Sequence, residues 1–525
     1  MKKILGIEFG STRIKSVLIN EYGTVLSKGS HEWENTIIDG YWSYSLDSIE
    51  KGLQASYADL SKNYQEKYNE SLTEISAIGI SAMMHGYMPF DENYNLLVPF
   101  RTWRNTNAEK ASSELTELFE FHVPIRWSVS HYYQAVLNGE KHVKDVRYLN
   151  TLEGYVHYRL TNERVIGIGE ASGMFPIKDR GYHPEMISKF ENLLKEKGVS
   201  VSFADMLPKI LVAGECAGYL TEEGAKFLDP MGNLKPGAVF CAPEGDAETG
   251  MVATNCIAKR SANVSAGTSA FLMAVLEKPL ESYYKEIDVI ATPTGHPVAM
   301  VHVNNFGSEI TALANFFEEI ITLFGGNADR NELFSTLYKI PLEADADCGG
   351  LVGYNFISPE PIVNVKKGIP MIIRSEKCKL SVANLMKMQI YSSLGALAMG
   401  CKILDKENVK IDRVCAHGGF FKTPDFTGGA MSAAIGAPIT LTKTASEGGA
   451  YGIALLALFS LRKETSLEDF LDNIFEGAEI STVSATDFEK KSFDGFMQKY
   501  EKGLSVEKVA EEIYGNASKI KENGF

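Results

Sequence analysis

Ala238-Val-Phe-Cys-Ala-Pro-Glu-Gly-Asp-Ala-Glu-Thr-Gly250 is the stretch on which the reading of this chain turns. Ala238 to Ala242 are small or apolar and read as a buried strand; Pro243 and Gly245 stop it, and a helix begins near Asp246 with Ala247 and Met251 to Ala253 inside. That order leaves one carboxylate at a strand's end. In open α/β sheets the carboxyl ends of strands face the ligand crevice, so Asp246 is a candidate general base, with Glu244 in the same turn. Aspartate is also a preferred helix N-cap, and this stretch alone does not separate the two roles.

Upstream, residues 4–19 read as two strands joined by a tight turn at Gly10-Ser11-Thr12, with a third strand at Thr24 to Ser27. A glycine-hydroxyl turn exposes backbone N–H groups and short hydroxyls that can embrace a phosphate, although it also serves as an ordinary hairpin. Downstream, residues 261–276 repeat the design around Gly267-Thr268-Ser269. The repeat sits just past the midpoint and suggests two related halves, whose turns could clamp a polyphosphate between them.

Around these turns, Leu46 to Tyr64 reads as a helix and Glu74 to Ser81 as a buried strand ending in Ala82-Met-Met-His-Gly86. His85 could bond a polyol there or be structural. Val98 to Thr106 puts Trp103, Arg104 and Asn105 on a loop. An aromatic face with polar neighbours suits a sugar, and Trp103 serves equally as core. Residues 108–121 and 143–160 read as helices and 167–173 as a loop. Later come a long helix over 384–404, a strand entering Gly418-Gly419, a helix toward Ile435, and a small-residue helix opened by Glu447 and running through Leu458. Residues 463–525 are charged and read as a helical, peripheral addition.

With 525 residues, 45% of them hydrophobic, the chain exceeds what one core usually supports, so two domains are expected. A net charge of -15 argues against wrapping nucleic acid. The seven cysteines are scattered without a Cys-x-x-Cys pair, which fits a reduced, cytoplasmic protein without structural zinc. No stretch approaches the roughly 18 apolar residues of a membrane span. Gly167 to Gly173 is not a Gly-x-Gly-x-x-Gly fingerprint, and neither a P-loop nor a His-Glu-x-x-His motif occurs, so the dinucleotide, P-loop and zinc-hydrolase readings fall.

Taken together, the motifs give a chain that resembles the FGGY carbohydrate kinases from about residue 4 to 460, the xylulose kinases among them. Gly-Ile-Glu-Phe-Gly-Ser-Thr-Arg-Ile-Lys15 is similar to the family's Gly-Ile-Asp-x-Gly-Thr-Ser-x-x-Lys, Met84-His85-Gly86 to the xylulose kinases' sugar-binding turn, and Gly245-Asp246 to the family's Gly-Gly-Asp. Gly267-Thr268-Ser269 is similar to its second phosphate turn, and Gly418-Gly419-Phe-Phe-Lys-Thr-Pro424 to its adenosine-side glycine motif. The resemblance implies an α/β, actin-like (ribonuclease-H-like) two-domain sugar kinase fold with a central cleft. Residues 1–254 would hold the sugar and the base, and residues 255–525 the nucleotide. It implies transfer of ATP's γ-phosphoryl group to a sugar hydroxyl, with Asp246 accepting the proton. Met84, His85, Trp103, Arg104 and Asn105 would face the sugar. Gly10, Ser11, Thr12, Lys15, Gly267, Thr268, Gly307, Gly418 and Gly419 would bind ATP, and Glu8 would help hold Mg²⁺ through water. D-xylulose is the first substrate expected, with L-ribulose or another ketose or polyol next. Small molecules are the expected partners, with no nucleic acid or membrane; a homodimer is left open.

The chain also departs from the pattern. Glu8 stands where the family has Asp, Trp103-Arg104-Asn105 replaces Trp-x-Asp, and Phe420 replaces a third glycine. Ser358-Pro-Glu-Pro361 lacks the Gly-Glu-Arg-x-Pro character, and the Gln-Arg-Glu motif of glycerol kinases is absent at 82–85. Two other classes remain: a non-catalytic actin-like binding protein, favoured by the changes at 8 and 105, and a glycosidase using Glu244 and Asp246 as its carboxylate pair.

Overall fold

A computed structural model describes residues 2–442, 448–462, 465–478 and 480–515. By internal contacts the chain forms two units: residues 1–259, 289–298 and 444–478 in the first, and 260–288, 299–443 and 479–525 in the second.

The first unit is built on a sheet whose strands run in the order Val239–Phe240, Ala77–Ala82, Ile4–Phe9, Arg13–Ile19, Val25–Glu32, with Glu244–Gly245 also on Ala77–Ala82. Ile4–Phe9 pairs antiparallel with Arg13–Ile19 and parallel with Ala77–Ala82. Both central strands are buried along their whole length, which is why they are mostly apolar on both faces, with Glu8 and Ser81 the polar residues near their ends. The helix Leu46–Tyr68, capped by the Ser45 side chain, covers one face with Ile49, Leu53, Tyr57, Leu60 and Tyr64.

The second unit repeats this scheme. Ser261–Ala266 pairs antiparallel with Ala270–Val275 and parallel with Arg413–His417, which pairs parallel with Ile439–Thr442; Pro297–Val303 lies outside Ala270–Val275. The helix Val382–Lys406 takes the place that Leu46–Tyr68 holds in the first sheet's sequence of elements. The duplication expected from the two glycine-hydroxyl turns is thus present as topology.

Four expectations change. A single split at 254/255 does not describe the chain, because the helix Gly448–Phe459 returns to the first unit. Glycines make that return possible: a side chain on Gly6 would overlap Ala450, one on Gly79 would come within 2.6 Å of Ile453, and one on Gly452 would overlap Thr249. Glu447, expected to open this helix, lies outside the described residues. The span 143–160 is not one helix: a 3₁₀ turn, the strand Tyr148–Asn150 on Met88–Phe90, and the helix Leu152–Thr161 divide it, since pairing with a neighbouring strand outweighs local helix propensity. The run 167–173 forms a helix, Ile168–Met174, rather than a loop. Finally, the described part of 463–525 is not peripheral: Ile480–Val483 joins the second sheet, and the helix Asp487–Tyr514 buries Phe493, Phe496, Met497 and Tyr500 in the second core. Among the described residues no helix is long and apolar enough to cross a membrane.

Candidate active site

Register decides what the first sheet displays. Glu8 lies opposite Ser81 and Phe9 opposite Ala82, while Glu244 lies opposite Ser81 and Gly245 opposite Ala82. Three neighbouring parallel strands therefore end level, and Glu8 near the end of its strand shares one sheet edge with the turn 83–86 and Asp246 just past the ends of theirs. Gly245, not Asp246, occupies the N-cap of the helix Asp246–Ala253. The Asp246 carboxylate instead accepts the Met84 N–H at 3.1 Å through Oδ1. Asp246 keeps contact with solvent, although enough protein surrounds its carboxyl to strip part of its hydration. Loss of hydration pushes its carboxyl up to about 6, the Glu8 charge adds to the rise, and the Met84 N–H opposes it.

Glu8 is held from two sides. Lys15, its cross-strand partner, puts Nζ 3.5 Å from Oε2, and the Ala450 N–H donates to the same oxygen at 3.3 Å from the first turn of Gly448–Phe459. Gly449 permits this approach, since a side chain there would come within 3.0 Å of the Glu8 carboxyl.

The turn Gly10-Ser11-Thr12 has all its carbonyls occupied. Trp33 Nε1 donates to Gly10 O at 2.7 Å, Tyr44 Oη to Ser11 O at 2.6 Å, and Trp33 N to Thr12 O at 3.2 Å. Trp33 and Tyr44 stack at 4.0 Å. The Ser11 and Thr12 N–H groups find no acceptor among the described residues, so the turn presents donors outward as anion recognition requires.

Of the five residues expected at the sugar, Met84 and His85 are 5% and 4% exposed. The His85 ring lies over Gly173, where a side chain would come within 2.5 Å of Nδ1, and faces Trp127 at 6.5 Å. Trp103 is 39% exposed. Arg104 stacks on Trp42 at 4.4 Å and donates to Asn35 at 2.9 Å, and among the described residues it has no carboxylate partner. Asn105 is corrected. Its Oδ1 accepts the Trp42 N–H, and its Nδ2 donates to Trp42 O and Thr102 O, so both amide hydrogens are spent tying two chain segments together and none is left to donate to a ligand.

Behind Asp246 stand four glutamates that sequence reasoning did not assemble. Glu153, Glu170, Glu244 and Glu248 are all 1% exposed or less. Glu244 accepts the Glu170 N–H at 2.9 Å and the Gly169 N–H at 3.4 Å, so it faces inward and does not form a solvent-facing pair with Asp246; the glycosidase arrangement is absent. Burial pushes the Glu153 and Glu244 carboxyls up to about 8 and those of Glu170 and Glu248 well above the usual range. The signal available in the sequence was a lone Glu170 among small residues, in Gly167-Ile-Gly-Glu-Ala-Ser-Gly173.

In the second unit the glycines converge. The Phe306 and Gly307 N–H groups both donate to Thr268 O, at 3.1 and 2.9 Å. Any side chain on Gly307 would overlap Gly267 O, and one on Gly418, at φ 113°, would overlap Ala266 O. Gly267, Thr268, Gly307 and Gly418 thus form one backbone cluster, and Gly419 beside it has open space where a side chain would be. Glu360, fully buried, accepts the Asn304 and Asn305 N–H groups and Asn305 Nδ2, anchoring the loop that carries Gly307. Phe420 packs into the core against Phe306 and Tyr338, at 5.0 and 5.7 Å. Among the described residues no group of three or more His, Cys, Asp and Glu could hold a metal by itself.

Comparison with known proteins agrees with this layout. Residues 3–233 match the N-terminal domain, and 262–461 the C-terminal domain, of the FGGY family of carbohydrate kinases. The chain is 24% identical to a gluconokinase of Bacillus subtilis over 90% of each chain, and 21% identical to a xylulose kinase of Haemophilus influenzae over 80% of this chain and 79% of that one. In fold it is similar to a ligand-bound xylulose kinase from Lactobacillus acidophilus (TM-score 0.79, 17% identity, 98% and 99% covered). It is equally similar to a gluconate kinase from the same organism (TM-score 0.79, 18% identity, 98% and 99% covered). The two duplicated sheets, the level strand ends around Asp246 and the two domain matches place the chain in one family: it belongs to the FGGY carbohydrate kinases, with their two-domain, actin-like fold.

Proposed function

We propose that this carbohydrate kinase transfers the γ-phosphoryl group of ATP to a sugar hydroxyl, with Asp246 as general base. The carrying observation is the level ending of three strands, which sets Asp246, fixed by the Met84 N–H, on one sheet edge with Glu8. Asp246 takes the hydroxyl proton as that oxygen bonds to the γ-phosphorus and the bond to the departing ADP oxygen breaks. The open N–H groups of Ser11 and Thr12, with Lys15 nearby, stabilise the charge on the transferring group; Gly267, Thr268, Gly307, Gly418 and Gly419 hold the nucleotide. Glu8 suits a role beside Mg²⁺, because its charge raises the neighbouring Asp246 carboxyl and a cation would relieve that repulsion. When bound, Mg²⁺ would supply charge neutralisation at the phosphates, with Glu8 the residue that would help hold it.

D-xylulose is the first acceptor on the strength of Met84-His85-Gly86 and the xylulose kinase relatives. A second reading, a sugar acid such as gluconate, is favoured by Arg104, a cation without a carboxylate partner among the described residues, and by the gluconokinase relatives.

ADP release measured with ketoses, polyols and sugar acids tests both. Turnover of one acceptor, reduced about 10²- to 10⁴-fold in Asp246→Asn, is expected. ATP binding without turnover of any acceptor would favour a binding protein instead. Because the base must be ionised, kcat/KM should rise with pH through about 6 and level off above it.

A further inference from the structure

We propose that Glu170 is a positioning residue for Asp246, acting through the Met84-His85 turn. This inference rests on the kinase reading above. Every N–H of the turn has an identified acceptor. Met83 still bonds Phe9 O at 2.9 Å, continuing the sheet ladder; Met84 then turns to Asp246 Oδ1, His85 to Glu170 Oε1 at 2.8 Å, and Gly86 to Arg126 O at 3.2 Å. His85 and Gly86 take positive φ, 71° and 107°, which swings these N–H groups away from the ladder. A buried N–H so displaced needs an acceptor, and at 4% exposure water does not supply one. Glu170 does, and Glu170 is itself held by Glu244 through its own N–H. The order is continuous: Glu244 fixes the start of the helix Ile168–Met174, that helix aims Glu170, Glu170 holds His85, and the turn so held presents the Met84 N–H to Asp246.

The carboxyls are seated by glycines. A side chain on Gly245 would come within 2.6 Å of Glu170 Oε2 and 2.7 Å of Glu248 Oε2, and side chains on Gly167 and Gly169 would run into Glu244 and Glu248. Burial, together with the neighbouring Glu153, Glu248 and Asp246 carboxyls, pushes the Glu170 carboxyl well above the usual range, and its Oε1 accepts the His85 N–H. A neutral acceptor of the same shape should perform that task, whereas an apolar side chain should not.

The test compares Glu170→Gln with Glu170→Met by amide hydrogen exchange over residues 82–88, melting temperature, kcat and both KM values. Glu170→Gln should keep wild-type exchange and a kcat within about threefold. Glu170→Met should exchange faster at Met84 and His85 and lose about 10²-fold in kcat, with the KM for ATP unchanged. Its melting temperature should fall by only a few degrees, since the orphaned His85 N–H costs stability while a buried carboxyl leaves a crowded cluster. A merely structural role would speed exchange throughout the first unit and damage kcat and both KM values together. Wild-type exchange in a folded Glu170→Met protein, equal damage from both variants, or failure of Glu170→Met to fold would each overturn the proposal. Exchange needs no substrate: faster exchange in Glu170→Met, with no acceptor turned over even by wild type, would sustain the positioning role and refute the assignment of the reaction.

Discussion

The two glycine-hydroxyl turns look alike in sequence and are held by different means. Gly10-Ser11-Thr12 is braced mainly by side chains: those of Trp33 and Tyr44, stacked on each other, donate to Gly10 O and Ser11 O, and one backbone N–H, that of Trp33, reaches Thr12 O. Gly267-Thr268-Ser269 is braced by backbone: the N–H groups of Phe306 and Gly307 reach Thr268 O because glycines at 307 and 418 let chain segments touch. A side-chain brace can lose one hydrogen bond and keep its packing. A backbone brace has no slack, since an added methyl group must displace main chain.

The comparison breaks most sharply at Gly418→Ala. Positive φ and the overlap with Ala266 O together should destabilise the second unit by about 2 to 4 kcal/mol and abolish measurable ADP binding. Calorimetry and titration with ADP check this, and an unchanged second unit would show that its brace has slack after all.

A pH series sharpens the contrast at intermediate size. A carboxyl whose folded pKa lies above the ordinary value of about 4.3 favours folding fully below that value and loses the contribution as pH rises through the folded pKa. In the first unit this applies to Glu153 and Glu244, pushed up to about 8, and to Glu170 and Glu248, pushed higher. In the second, burial pushes Glu360 and Glu507 up to about 7. Between pH 6 and 9 the first unit should therefore lose more stability than the second, and Glu360→Gln should weaken the second unit's response by about half while leaving the first unit's unchanged. Melting curves that move in parallel for both units would contradict this.

The smallest effect is expected at Tyr44→Phe, which removes one donor to Ser11 O and leaves the stack on Trp33 intact. About 0.5–1.5 kcal/mol should be lost, read as a decrease of up to tenfold in kcat/KM for ATP. A loss larger than that of Gly418→Ala would reverse the order of the two braces.

Much of this layout was legible in the chain itself. Short apolar-leaning runs marked the central strands, and glycine with hydroxyl neighbours marked both turns. The order of Pro243, Gly245 and Asp246 marked a carboxylate at a strand's end, which is where the structure puts it. The reading failed where a residue's task depends on a distant partner. Asn105 looked like a ligand donor because its neighbours are Trp103 and Arg104, yet its amide is used by Trp42, 63 positions away. Gly167 to Gly173 looked like a loop because glycines favour loops; here they make room for Glu244 and Glu248. Phe420, in place of a glycine, turned into the core rather than toward a ligand.

The sequence by itself determined the two-unit plan, most elements of each sheet, the two glycine-hydroxyl turns and the candidate base, because these follow from spacing within a few residues and from the conformations glycine and proline allow. Only the tertiary structure decided that Gly448–Phe459 returns to the first sheet, that four glutamates meet behind Asp246, and that Glu170 holds the turn on which Asp246 rests. Those facts depend on burial and on hydrogen bonds between segments far apart in the chain, such as the 85 positions between His85 and Glu170, and local pattern carries no record of them.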